Sequence, residues 1–299
     1  MRSLESALAE RVLLFNTSPA NPEWLKLPES IRPGSFNVEH PNWVLDWNQK
    51  LCAAGTDVLE TITIGADPLT SKGVEAATCR EWNRAAVSIA RKSTSRSGQF
   101  VAGAIAAGLS LTVIPEYSFE QLIAASAEQV RDLWADGGVD AIHLAFVQDS
   151  QNMLAALYGV DVVQQESGCR IPVWITFDVD PHGTLVTGER PEDLWGMLQA
   201  HDPIALGLAT YGYGADALRR LRDASGVPVG LLLDPFPWAP PTMTEYRPIE
   251  WLAECLEPLL NERLLSFCGL SCTIPSIEYV SVISNLIRDT SPTSCTLVS

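Results

Sequence analysis

The chain has 299 residues, of which 46% are hydrophobic and 19% charged, so it can bury a sizeable core and is not a disordered polymer. Its 20 Lys and Arg against 36 Asp and Glu leave a net charge of −16, a surface that repels phosphate backbones and anionic lipid. Nucleic acid and membrane surfaces are therefore excluded as expected partners. A small-molecule substrate is the expected one, and the oligomeric state is left open.

Strand-like and helix-like segments alternate from the start. The strand candidates are Val12–Asn16, Asp57–Thr63, Phe100–Ile105, Asp140–Phe146, Pro172–Asp178, Ile204–Thr210, Val227–Leu233 and Leu264–Gly269. Each is followed by an amphipathic pattern, in order Asn42–Ala54, Val74–Lys92, Phe119–Ala135, Ser150–Tyr158, Glu192–Gln199, Ala215–Ala224, Ile249–Asn261 and Ser276–Ile287. Ser118 with Gln121 reads as a capping box, and Pro191 as a first-turn proline. The strands are almost continuously apolar, as strands buried on both faces are. Eight such units predict an α/β fold, a single (β/α)8 TIM barrel over residues 1–288, with a polar tail over 289–299. No Gly-rich phosphate loop follows the first strand, which argues against an open doubly wound sheet. Two long connections, Thr17–Asn37 and Pro235–Arg247, are candidate lids over the barrel mouth.

The seven cysteines are scattered with no CxxC pair, which fits reduced thiols in a cytoplasmic protein. Acids interrupt the first apolar stretch, which makes a poor signal peptide. No segment approaches the ~18 apolar residues of a membrane helix.

Several strings carry a resemblance. Ala54-Gly-Thr-Asp-Val-Leu-Glu-Thr-Ile-Thr-Ile-Gly-Ala66, Val101-Ala-Gly-Ala-Ile105, Gly138-Val-Asp140, Pro172-Val-Trp-Ile-Thr-Phe177 with Gly183 and Gly188, Gly207-Leu-Ala-Thr210 and Cys268–Pro275 occur in this order on or beside the strands. Together they resemble the homocysteine S-methyltransferase family, whose members are zinc-dependent barrels. The resemblance implies zinc binding the homocysteine sulfur and keeping it a thiolate, which then attacks a methyl carbon of a sulfonium, ammonium or corrinoid donor.

Where that family has its three zinc-binding cysteines, this chain has Thr210, Leu270 and Ser271. Asn16-Thr17 replaces an Asp-Gly pair, and Ala145 replaces a substrate-binding glutamate. Ile62 replaces an asparagine, Asn48 and Leu51 a His-x-x-Tyr pair, and Ala106-Ala107 a Gly-Pro. Hydroxyl and hydrocarbon are not soft anionic ligands, so no metal and no other cofactor is expected. A rebuilt site from Cys268, Cys272 and His143 is the alternative, set against ordinary buried cysteines.

Catalytic groups in such a barrel come from the C-terminal ends of its strands. Period-two alternation puts His143 on the same face as Ala145, one layer lower, with space above it where bulk was lost. His143 is thus a candidate proton-transfer group, set against a core histidine bonded to a carbonyl. Glu60, in an apolar strand, needs a partner, and His143 is one candidate. Asp178 at the end of the fifth strand completes the candidate catalytic set. Asn16, Thr63, Thr210, Tyr211, Asp234, Trp238 and Ser271 are the candidate substrate-positioning residues.

The expected function is metal-independent acid/base chemistry on a small organic substrate: elimination, isomerisation, cyclisation or hydrolysis. A barrel recruited to specialised metabolism fits that pattern. Two alternatives stand beside it: a catalytically dead barrel that binds a ligand or partner, and a methyltransferase of homocysteine or a related thiol with a non-standard site.

Overall fold

A computed structural model describes residues 3–17, 32–94, 98–106, 117–212, 214–235, 246–271 and 276–290. Eight parallel strands close into a barrel in sequence order. They are β1 (Leu13–Asn16), β2 (Val58–Glu60), β3 (Phe100–Ala106), β4 (Ala141–Val147), β5 (Val173–Asp178), β6 (Ala205–Thr210), β7 (Val229–Leu233) and β8 (Phe267–Leu270). The barrel closes where β1 pairs with β8, Leu13 opposite Phe267 and Asn16 opposite Leu270.

The helices among the described residues are α1 (Leu4–Glu10), α2 (Phe36–Glu39), α3 (Pro41–Ala53), α4 (Ala76–Ser93), α5 (Phe119–Trp134), α6 (Ser150–Ser167), α7 (Trp195–Leu198), α8 (Ala215–Ser225), α9 (Trp251–Asn261) and α10 (Ile277–Thr290). The α1 helix, which no sequence pattern had marked, carries Leu4, Ala7 and Leu8 into the barrel's lower interior cluster. The expected Ser118 capping box is formed, with Ser118 Oγ accepting from Gln121 N–H and Gln121 Oε1 accepting from Ser118 N–H.

α6 runs to Ser167, past the end of its sequence pattern at Tyr158, and Gly159 falls inside it. Its role is close packing: a Cβ there would lie 2.6 Å from Ser126 Cβ and 2.9 Å from Ala127 N on α5. The last helix continues through Thr290, past the boundary expected at 288, while 291–299 lie outside the described residues.

Alternate strand residues divide between two cores. Leu14, Leu59, Val101, Ile142, Ile175, Leu206, Leu231 and Cys268 face the helices. Phe15, Trp174 and Phe267 meet inside the barrel, with ring centroids 4.7 Å apart for Phe15–Trp174 and 4.3 Å for Trp174–Phe267. Gly230 leaves room for the Phe267 ring, whose Cδ1 lies 2.5 Å from where a Cβ would stand. Burial of each ring stabilises the barrel by roughly 2–3 kcal/mol.

At the N-terminal ends of the strands, acids pin neighbours together. Asp57 accepts Leu14 N–H at 2.9 Å and takes both Nη atoms of Arg11 at 2.7 Å. Asp140 does the same for Val101 N–H and Arg91, each at 2.7 Å. No helix of the described residues is long and apolar enough to cross a membrane.

Candidate functional site

The C-terminal ends of the strands open onto a cavity of about 310 Å³. β5 brings Asp178 to its wall, β6 brings Ala209, Thr210 and Tyr211, β7 brings Asp234, and β8 brings Ser271. The loop after β2 adds Ile64, Gly65, Thr70 and Ser71, and the segment before α2 adds Arg32 and Pro33. Phe146 and Gln148, from the end of β4, complete it.

Phe146 reaches the cavity through an irregularity. The β4–β5 register slips between Leu144 and Val147, and Phe146 has φ of 55°. That backbone region is unfavourable by roughly 1–2 kcal/mol for an L-residue with a side chain. A bulge of this kind re-aims a side chain, and here it swings the ring over the cavity. The open space expected above His143 is consequently filled. Ile64, Ala104 and Ala145 form a small buried plug with Phe146 packed against it. His143 and Ala145 do share the inward face, as their parity predicts; beyond Ala145 the bulge interrupts the alternation and brings Phe146 over the space above His143.

Below the plug lies a polar layer. His143 and Glu60 are 0% and 1% exposed. His143 Nδ1 is hydrogen-bonded to Glu60 Oε1, and its Nε2 lies 2.9 Å from the Thr176 hydroxyl. The edge of the ring meets Phe15 at a centroid distance of 4.9 Å. The pairing of Glu60 with His143 foreseen from the sequence is thus present, but neither residue is part of the cavity wall.

Of the three candidate catalytic residues, Asp178 is the one that lines the cavity. It stands two residues beyond Thr176 on the same inward face of β5, and Gln148 Nε2 donates to its Oδ2 at 2.9 Å. Burial raises its carboxyl above the ordinary aspartate range, and the Gln148 hydrogen bond partly offsets that rise. Tyr246 is also pushed up, first by burial and then by the charge of Asp234, which places a phenol within electrostatic reach of the second acid.

The other positioning candidates divide. Thr210, Tyr211, Asp234 and Ser271 are in the wall. Asn16 and Thr63 are not, and their polar groups have structural partners. Asn16 Nδ2 donates to Thr56 Oγ1 at 2.6 Å, and its Oδ1 accepts from Leu270 N–H at 3.4 Å. Thr63 Oγ1 donates to Ala104 O at 2.7 Å. Buried amides clamp the same stretch: Gln129 donates to Thr63 O at 2.7 Å and Asn37 to Ile62 O at 2.8 Å. Trp238 lies outside the described residues, as do 18–31 and 236–245 of the two candidate lids.

Sequence reasoning did not mark Arg32, Thr70, Ser71, Phe146 or Gln148. Gln148 had a usable signal, a polar residue just past a strand end. Arg32, Thr70 and Ser71 arrive from connections that fold back over the mouth, and no local pattern announces that.

The positions matched to zinc ligands do not fit a three-thiolate centre. The Leu270 side chain packs among the helix-facing residues, and Thr210 Oγ1 accepts from Gly212 N–H at 3.3 Å. Two neutral hydroxyls and a hydrocarbon supply no soft anionic donor. Among the described residues, no group of three or more His, Cys, Asp or Glu is placed to hold a metal. The rebuilt site does not form from its described members, since Cys268 faces the helices and His143 faces the barrel interior. Burial also pushes the Cys268 thiol well above its ordinary pKa, the opposite of what a metal-binding thiolate needs. Cys272 lies outside the described residues.

Three comparisons bear on the ancestry of this barrel. A methionine synthase of Mycobacterium leprae is 24% identical over 252 residues, which cover 79% of this chain and 20% of that protein. The chain thus spans about a fifth of the length of that curated relative. The metallated homocysteine methyltransferase MmuM of Escherichia coli superposes with a TM-score of 0.74 at 16% identity, over 94% of this chain and 99% of the other. A putative alpha-L-fucosidase of Bacteroides thetaiotaomicron gives 0.59 at 11% identity, over 94% and 92%. At such identities the structural likenesses show the shared barrel. The profile of the homocysteine S-methyltransferase family matches residues 7–275 of the chain, which therefore belongs to that family.

Proposed function

We propose that this chain is an enzyme that works on a small organic molecule by proton transfer, without zinc, and that Asp178 gives and takes the proton. The observation that carries this reading is the state of Asp178. It is a largely buried carboxyl, raised in pKa, held by Gln148 and facing a cavity at the strand ends. A carboxyl moved toward neutral pH is a better general acid or base there than an ordinary aspartate. Elimination, isomerisation, cyclisation and hydrolysis all need such a group.

Thr210, Tyr211, Asp234 and Ser271 position the substrate. His143 and Glu60 take a different part from the direct proton transfer their residue types suggest. Buried beneath the plug, they hold β5 through Thr176, and so set the strand from which Asp178 projects. They are positioning residues.

The family match supports a second reading, methyl transfer to homocysteine or a related thiol through a non-standard site. One experiment separates the two. The purified protein is incubated in D2O with pools of amino, hydroxy and keto acids, and C–H exchange is followed by NMR. Zinc is quantified by elemental analysis, and homocysteine methylation is assayed with a sulfonium donor. Proton-transfer chemistry gives exchange or product that falls by roughly 10²–10⁴-fold in Asp178→Asn, with zinc far below one per chain. Stoichiometric zinc, with homocysteine methylation that survives Asp178→Asn, overturns the proposal and establishes the second reading.

A further inference from the structure

Among the described residues that line the cavity, Arg32 is the one with a positive charge, and Asp178 and Asp234 are the acids. In a chain of net charge −16, a guanidinium at the mouth runs against the surrounding field.

The backbone of Arg32 is fixed. Pro33 keeps residue 32 extended, with φ of −82° and ψ of 137°. Arg32 O accepts from Ser35 N–H and from Ser35 Oγ, each at 3.0 Å. Gly34 seats this turn on the loop after β2 and on α4. A Cβ there would lie 2.9 Å from Ala66 Cβ and 2.9 Å from Trp82 Cε3. Asn37 Nδ2 donates to Gly34 O at 3.0 Å and to Ile62 O at 2.8 Å, tying the turn to the same wall.

The side chain of Arg32 is exposed, and among the described residues it makes no hydrogen bond or ion pair. The arginines of α4, α5 and α8 differ, each holding a carboxylate. Within the cavity wall, Asp178 is held by Gln148, and Tyr211, Asp234 and Ser271 have partners of their own. Thr70 of the same wall has its N–H taken by Asp67 Oδ1 at 2.9 Å, and its hydroxyl has no partner among the described residues. The Ser71 hydroxyl, by contrast, is committed to Gly65 O.

An anchored backbone that carries an unpaired guanidinium to a cavity presents a planar fork matched to a carboxylate. A phosphate ester suits it less, because roughly −1.5 to −2 charges beside Asp178 and Asp234 exceed what one guanidinium balances. We infer that the substrate is an organic carboxylic acid whose carboxylate is gripped by Arg32, with the Thr70 hydroxyl as a further donor. This assignment rests on the proton-transfer reading only in taking Asp178 as the group that acts on the bound acid. The charge of the substrate follows from Arg32 itself.

The test titrates matched acids and primary amides into the intact protein by calorimetry: crotonate and crotonamide, lactate and lactamide, benzoate and benzamide. Acids bind roughly 10- to 100-fold more tightly than their amides, the range of a charge-assisted hydrogen bond. Added salt weakens the acids and leaves the amides unchanged. In Arg32→Gln the ratio falls to near one with amide affinity unaltered, and Arg32→Lys restores part of it. Position 32 is exposed, and circular dichroism checks that both variants fold. Amides that bind as well as acids, a preference that survives Arg32→Gln, or a set in which no acid binds overturns the inference. Asp178→Asn keeps the two readings apart, since it removes a carboxylate and leaves the preference for acids in place. That preference together with unimpaired catalysis in Asp178→Asn defeats the proton-transfer proposal alone. Catalysis that needs Asp178, in a protein with no preference for acids, defeats this inference alone.

Discussion

The lower and upper halves of the barrel interior solve opposite problems with the same alternation of residues. Below, Phe15, Trp174 and Phe267 interlock, and Glu60, His143 and Thr176 bond to one another with no exposure to solvent. Above, Asp178 is held by one amide, Phe146 is bent out of the ordinary backbone range, and the surrounding wall is open. The lower half pairs its titratable groups, although the buried Trp174 Nε1 has no hydrogen-bond partner among the described residues, and the upper half presents Asp178 to a cavity. On the function proposed above, titratable groups in the barrel interior divide by depth: those sealed below the plug contribute to the fold, and Asp178 above it faces the cavity.

Glu60→Ala tests that division most severely. It leaves His143 Nδ1 without its carboxylate partner in a fully buried layer, and an unsatisfied buried polar group costs about 1–3 kcal/mol. Urea denaturation reads the loss as a lower midpoint at an unchanged slope. A stability within 1 kcal/mol of the parent would show instead that the lower layer is not a structural unit.

Phe146 sharpens the comparison from the other side. Alanine stabilises most positions relative to glycine, but φ of 55° reverses the order. Phe146→Gly is expected to be more stable than Phe146→Ala by about 1–2 kcal/mol, measured by the same denaturation. Equal stabilities would mean that the bulge relaxes once the ring is gone.

The smallest effect concerns Asp178 and pH. Its folded-state pKa is raised by burial, so the folded state holds the proton more tightly than the unfolded chain. Its contribution to stability is therefore most favourable below the unfolded value near ~3.8–3.9, and is lost as pH rises through the raised folded value. Asp178→Asn removes that penalty. The variant should melt slightly higher than the parent near neutral pH, with the gap closing as pH falls toward the unfolded value. Calorimetric scans across that window check it, and a gap that widens on acidification would contradict the burial argument.

The architecture was legible because apolar, β-branched runs punctuated by amphipathic helices admit few closed arrangements, and every expected strand is a barrel strand. Asp178, Thr210, Tyr211, Asp234 and Ser271 were legible as mouth residues because strand ends alone place them there. The sealing of His143 and Glu60 from the cavity was not. It depends on where β2 stops, at Glu60, and on the plug that Phe146 completes, neither of which a propensity or a period reports. Asn16 and Thr63 misled for a related reason. They stand at strand ends, but their hydrogen bonds run into the wall, toward Thr56, Leu270 and Ala104.

The slip in β4 has a practical bearing on reshaping the pocket. Past it, residues 146 and 148 look into the opening while Ala145 and Val147 are wholly enclosed. A combinatorial library aimed at new substrates should therefore vary the pair at 146 and 148 and keep 145 and 147 fixed. The uninterrupted alternation from His143 would have pointed to the other pair, and most clones of such a library would be lost to misfolding.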